Sequence, residues 1–117
     1  MLTRMIVGLA VGIISTQAIA QQAVSETYDY VTKVHVKADN YLYVAVSGNY
    51  KSSHGCDNLA YARSDQPITN DVTKAYLQIA MASFLSRAKV NIGTENCSAP
   101  NNSSVNYPRM MHLQIQQ

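Results

Sequence analysis

Between residues 28 and 37 the side chains alternate. Tyr30, Thr32, Val34 and Val36 fall on one side, and Val31, Lys33, His35 and Lys37 on the other. A period of two marks a half-buried strand, because successive side chains of an extended chain point to opposite faces. Ala38, Asp39 and Asn40 interrupt the pattern with turn chemistry, and residues 41–47 (YLYVAVS) resume a β-rich run. Two such runs with three residues between them predict a hairpin. Residues 48–58 (GNYKSSHGCDN) read as a polar loop and residues 59–63 as a short third strand. Residues 64–70 read as a connector in which Pro67 opposes regular structure before it.

At residue 70 the period changes. The run DVTKAYLQIAMASFLSRAK has no Gly or Pro and predicts a helix over 71–89. Asn70 is a suitable N-cap, Asp71 sits at the positive end of the dipole, and Arg87 and Lys89 sit at the negative end. On a helical wheel Leu77, Ala80, Met81, Phe84 and Ala88 form one apolar face. Val72, Ala75, Tyr76, Ile79 and Ala82 form a second, nearly opposite, with only a narrow strip bearing Lys74 and Gln78 between. A helix apolar on two flanks asks for cover on both, so the second face is a candidate homo-oligomer surface. The alternative is a monomer whose loops 48–58 and 98–108 supply that cover. After the helix, Val90, Ile92 and Thr94 alternate towards Cys97 as a fourth strand. A polar loop follows over 98–108, and residues 109–115 close the chain as a fifth strand with Met111, Leu113 and Ile115 on one side.

The first twenty residues stand apart. Arg4 supplies a positive start, residues 5–15 (MIVGLAVGIIS) an apolar stretch, and Ala18-Ile19-Ala20 a small-x-small cleavage pattern. The stretch is short for a bilayer span, which takes about 20 residues. Residues 1–20 are therefore expected to be a signal peptide, residues 21–27 a flexible N-terminus, and residues 28–117 a single domain in the periplasm or outside the cell. No membrane span is expected after cleavage. Loss of Arg4 lowers the formal charge from +2 to +1. With a near-neutral charge and no cluster of Lys and Arg, neither nucleic acid nor an anionic membrane is an expected partner. Two cysteines in an exported chain predict one disulfide, Cys56 to Cys97. The competing reading takes His54, Cys56 and Asp57 as metal ligands, but HGCD lacks the spaced pairs of a tetrahedral site, so no metal or cofactor is expected.

The order β-β-β-α-β-β is the element order of a small α+β, OB-like Greek-key barrel; an α+β sandwich of the same elements is the alternative. Residues 41–115 resemble the B subunits of AB5-type bacterial toxins, in particular the subtilase-cytotoxin and pertussis-type group. The stretch carrying the resemblance is AYLQIAMASFLSRAKVNIGTENC: an Ala- and Leu-rich helix, a basic residue, then a V-x-I strand ending at Cys97. The resemblance implies an exported OB-fold subunit that forms rings and binds cell-surface glycans. The chain departs from the pattern in its single cysteine pair and its lack of tryptophan. None of the family's sugar-contacting residues is carried over.

Catalytic chemistry is poorly served. His35 and His112 lie on predicted strands. His54, the best candidate for a small hydrolase, has no nucleophile elbow around Ser52 or Ser53. The tyrosines say more: there are eight, against one Phe. A flat ring with a polar tip suits sugar stacking, although aromatic residues also favour strands for their own sake. The loop-borne groups Tyr50, Lys51, Ser52 and Ser53, with Asn101, Asn102 and Tyr107, are the expected ligand-facing residues. The sequence thus predicts a non-catalytic binding protein, with a monomeric periplasmic interaction protein as the alternative.

Overall fold

In the computed structural model, residues 24–51, 54–101 and 103–116 are described. Five strands and one helix follow one another as β1 (Ser25–Val36), β2 (Tyr41–Val46), β3 (Tyr61–Pro67), α1 (Asp71–Ser86), β4 (Lys89–Ser98) and β5 (Tyr107–Ile115). The result is a sheet-dominated α+β domain with a Cys56–Cys97 disulfide. The expected signal peptide and residues 21–23 lie outside the described residues. Cys56 is bonded to Cys97 and so is not a metal ligand.

The strands close on themselves in the order β1-β2-β3-β5-β4. β1 serves two neighbours: Ser25 to Tyr30 pair with β4, and Val31 to Val36 pair with β2. β3 meets β5 in parallel through Arg63–Arg109 and Ser64–Met110. A parallel pair needs a long crossover, which α1 and β4 provide. The core is filled by alternate residues, with Leu42, Val44 and Val46 meeting Ala62, Val90, Ile92, Met110 and Leu113.

Several boundaries differ from the sequence pattern for local reasons. β1 starts at Ser25, so residues 25–27, expected to be loose, pair with Thr94, Gly93 and Ile92. The continuous alternation of 28–37 is broken by a register shift between Val31 and Lys33. The extra residue lets Val31 and Val34 both face the core and leaves Tyr28 and Tyr30 exposed. β3 extends to Pro67, which pairs with Tyr41 at the strand end, where a missing N–H is tolerated. Tyr107, expected in a loop, is the first residue of β5 and pairs with Ser98.

α1 begins as its cap predicts: Asn70 Oδ1 accepts from the N–H groups of Val72 at 2.9 Å and Thr73 at 3.3 Å. It ends at Ser86, because Arg87 adopts the left-handed conformation (φ 58°) and closes the helix. The two opposed apolar faces are corrected by the packing. The buried stripe runs between them through Thr73, Ala80 and Ser83, flanked by Tyr76, Leu77 and Ile79. Small and hydroxyl side chains can face the barrel because each hydroxyl has a backbone acceptor: Thr73 donates to Gln66 O and Ser83 to Ile79 O. Of the proposed oligomer face, Tyr76 and Ile79 pack on the protein's own core, and Tyr76 donates its hydroxyl to Met111 O at 2.8 Å. Val72, Ala75 and Ala82 are exposed. From the opposite face, Met81 and Phe84 are exposed too, and so is the adjacent Leu85, because the last turn runs past the packed stripe.

Candidate functional site

Strand alternation determines the site. With Leu42, Val44 and Val46 turned into the barrel, Tyr41, Tyr43 and Ala45 lie on the opposite face of the sheet, where Tyr43 and Ala45 are covered by neighbouring side chains and Tyr41 is partly exposed. Register sets His35 against Tyr43, Tyr43 against Arg63, and Ala45 against Tyr61. One sheet face therefore gathers residues that are far apart in the chain. The turn between β1 and β2 brings in Lys37 and Asp39, its reversal made by Asn40 in the left-handed conformation (φ 66°). From the other side β5 brings Tyr107.

Asp39 and Arg63 form the hub. The Asp39 carboxylate accepts from the Tyr43 hydroxyl at 2.5 Å, the Tyr41 N–H at 3.0 Å and the Arg63 guanidinium at 3.3 Å. Arg63 spends its other donors on the Tyr43 hydroxyl at 2.9 Å and Ser98 Oγ at 2.5 Å, and its carbon lies 3.6 Å above the Tyr41 ring. Each fork of the guanidinium is therefore occupied, as a buried charge requires. Tyr107 meets Tyr43 edge to face at 5.3 Å, and His35 stands 5.5 Å from Tyr61. The Lys37 ammonium sits 4.3 Å from the Tyr43 ring centre, with the rings of Tyr61 and Tyr107 at 5.6 and 5.7 Å. Among the described residues it forms no ion pair.

Beside this hub opens a cleft of about 440 Å³ lined by Asp39, Tyr41, Arg63, Pro100, Asn101 and Ser103. Its floor is sheet and its far wall is the loop between β4 and β5. That loop is anchored at both ends. Cys97 is tied to Cys56, and Asn106 exchanges hydrogen bonds with Asp57 at 2.7 and 3.2 Å.

Electrostatics fix the protonation states. Burial pushes the Asp39 carboxyl up, but the bonds from Tyr43, the Tyr41 N–H and Arg63 outweigh it and hold the carboxyl below its ordinary value. Burial, reinforced by the Asp39 carboxylate, raises the Tyr43 hydroxyl to about 12. Near neutral pH one group is a fixed anion and the other a fixed neutral donor. Neither is poised to exchange protons, which general acid–base catalysis demands. Around the buried Tyr43 the face offers the partly exposed rings of Tyr41, Tyr61 and Tyr107 and the Lys37 cation.

Of the expected ligand residues, Asn101 lines the cleft, whereas Tyr107 lies outside its lining and meets Tyr43 edge to face. Ser52, Ser53 and Asn102 lie outside the described residues. Tyr50 is corrected to a core residue. It is 2% exposed, its hydroxyl donates to Val44 O at 2.8 Å, and burial drives its pKa far above the ordinary value. Lys51 is exposed but away from the cleft, its N–H directed to Thr27 Oγ1 and its carbonyl accepting from Thr94. His54 accepts from the Asn96 N–H through Nδ1 at 3.2 Å, which gives it a structural partner. The residues that sequence reasoning passed over are Lys37, Asp39, Tyr41, Tyr43, Tyr61 and Arg63. A signal was present, since Lys37, Asp39, Tyr41 and Tyr43 recur at every second position. Comparison of the sequence with models of known families and with curated proteins finds no match.

Proposed function

We propose that this chain is an exported, non-catalytic binding protein that holds an oligosaccharide on the outer face of β1–β2–β3. The observation carrying this reading is the cleft beside the Asp39–Arg63 hub, in which the Tyr41 ring, backed by Arg63, faces Asn101 and Ser103. The closed order β1-β2-β3-β5-β4 supports an OB-like reading, and OB barrels carry ligands, oligosaccharides among them, on the β2–β3 face and the loops after β1 and β4. The cleft draws on those same segments: Asp39 from the first loop, Tyr41 and Arg63 from the strands, Asn101 and Ser103 from the second loop.

Sugar rings present C–H faces that stack on tyrosine and hydroxyls that need directed donors and acceptors. Tyr41, backed by Arg63, gives a rigid platform, and Asn101 and Ser103 give polar groups opposite it. Rigid rings and a pre-bonded hub hold the side chains in place, so little ordering cost is left for binding.

A glycan array probed with the wild-type protein and with Tyr41→Ala tests the reading. Wild type is expected to bind a subset of glycans, and the variant to lose at least tenfold in affinity while keeping its thermal unfolding midpoint within a few degrees. A wild-type protein that ignores every glycan overturns the proposal.

A further inference from the structure

Two charged residues line the cleft beside the hub, and they are not equally open to a ligand. The Arg63 side chain is 6% exposed and that of Asp39 24%. The Arg63 guanidinium lies against the Tyr41 ring, 3.6 Å from its centre, and its Nε, Nη1 and Nη2 already donate to Tyr43, Ser98 and Asp39. The cation is covered, and the carboxylate is the charge that a bound molecule meets. The other described residues of the lining, Tyr41, Ala99, Pro100, Asn101 and Ser103, carry no charge. Lys37 lies outside the lining and stands over the Tyr43 ring, 4.3 Å from its centre.

Asp39 has room for one more donor. A carboxylate offers about four lone-pair positions over its two oxygens. Oδ2 accepts from the Tyr43 hydroxyl and from Arg63, whereas Oδ1 accepts from the Tyr41 N–H alone. The open position is therefore on Oδ1. Those same bonds hold the carboxyl below its ordinary value against the opposing effect of burial. At neutral pH Asp39 is ionised, and an ionised carboxylate can only accept.

An acceptor of this kind discriminates among sugars. A sugar hydroxyl donates to it in a charge-assisted bond, stronger than one between neutral groups. A carboxylate or sulfate on the sugar brings lone pairs and negative charge to the same oxygen. No uncovered cation in the lining answers it, and like charges set against each other cost affinity. An amino sugar also donates, but it brings a second cation to a carboxylate that Arg63 already neutralises at 3.3 Å. Opposite, Asn101 supplies an uncharged amide that both donates and accepts, as neighbouring hydroxyls require. Specificity of this sort needs a repelling element beside the attracting one, and Asp39 is both.

Taking the sugar-binding reading of this cleft as the basis, we infer that it selects uncharged oligosaccharides. Asp39 sets the specificity: its Oδ1 accepts a ligand hydroxyl and turns away carboxylated and sulfated sugars.

Each neutral glycan that the wild-type protein binds on the array is paired with its sialylated and its sulfated counterpart, and all are measured by titration calorimetry. Neutral glycans are expected to bind at least about tenfold more tightly than their acidic counterparts. Their affinity is expected to change by less than about twofold between about 50 and 500 mM salt, because no ion pair forms on binding. In folded Asp39→Asn the gap is expected to narrow through tighter binding of the acidic glycans; should that variant fail to fold, the wild-type comparison decides alone. Acidic counterparts that bind as tightly as the neutral glycans, or more tightly with a steep loss in salt, overturn the inference and leave the sugar reading in place. A gap that persists undiminished in folded Asp39→Asn also overturns it. Silence toward every glycan, acidic ones included, removes the sugar reading and this inference with it.

Discussion

The two clefts of this barrel are built in opposite ways. Around the first, nearly every polar atom is committed: Asp39, Tyr43, Arg63 and Ser98 bond one another, and the wall loop is tied by Cys97 and Asn106. The second is an open apolar cleft lined by Tyr30, Val31, Thr32, Phe84, Leu85 and Arg87 at the end of α1. Around it, Phe84 and Leu85 stand in solvent, and neither belongs to the core or packs against it. The first region is stabilised by what it already contacts, whereas the second has apolar surface with nothing yet to cover it. Substitutions should therefore separate them, with stability effects concentrated at the hub and little loss of stability at the helix end.

The largest effect is expected at the anchor of the first cleft. Replacing Cys56 and Cys97 together by serine removes a cross-link spanning 41 residues. The loop-entropy relation puts the loss at about 4 kcal/mol. Chemical denaturation should show a lowered midpoint, and a loss under about 1 kcal/mol would place the β4–β5 wall outside the cooperative unit. Next comes Arg63→Leu, which leaves the Asp39 carboxylate and the Tyr43 hydroxyl without their shared partner. Removing one member of a buried ion pair costs about 3–5 kcal/mol, and partial exposure of Asp39 brings the expectation to about 2–3 kcal/mol. The double variant Asp39→Asn, Arg63→Leu should recover part of it, because no unpaired charge remains.

pH sharpens the same contrast from both ends of the scale. The Tyr43 hydroxyl is raised to about 12, so it stays protonated in the fold after the unfolded chain has lost its proton. Its contribution is complete below the unfolded value of about 10 and is lost as pH rises towards 12. Asp39 is depressed, so its contribution is complete above about 4 and is lost as pH falls through the lower folded value. Unfolding followed across this range should show both limbs, and Tyr43→Phe should remove the part of the alkaline limb that Tyr43 supplies. An unaltered alkaline limb in that variant would contradict the hub geometry.

The smallest effect is expected at Leu85→Ser. The side chain is mostly in water, so stability should move by no more than about 0.5 kcal/mol. A loss above about 2 kcal/mol would mean that the last turn of α1 is part of the core and that the comparison of the clefts is mistaken.

How much of this was legible in the sequence follows from the range of the interactions. The five strands, the helix with its Asn70 cap and the disulfide are written in local period, cap chemistry and cysteine count, and they reappear with shifted ends. The bulge after Val31 was not legible, because an extra residue in a pair is visible only against its partner strand. The flanks of α1 misled for a related reason. Thr73 and Ser83 look polar in a wheel, yet each buries its hydroxyl against a backbone carbonyl, while Phe84 looks apolar and ends beyond the surface that could cover it. The hub was hidden by separation in the chain. Asp39 and Arg63 are 24 residues apart, and only the β2–β3 register makes them neighbours. Tyr50 failed in the opposite sense: a polar loop carried a side chain that folds back to fill the barrel.

The central claim is that ligand binds on the tyrosine-bearing face and not elsewhere on the barrel. Backbone amide shifts recorded while an array-selected oligosaccharide is titrated into the labelled protein address it most directly. Perturbations are predicted to centre on Lys37, Tyr41, Arg63, Asn101 and Tyr107, leaving Tyr30, Phe84 and Leu85 unmoved. Perturbations confined to the helix end, with the Asp39–Arg63 hub silent, would contradict the account.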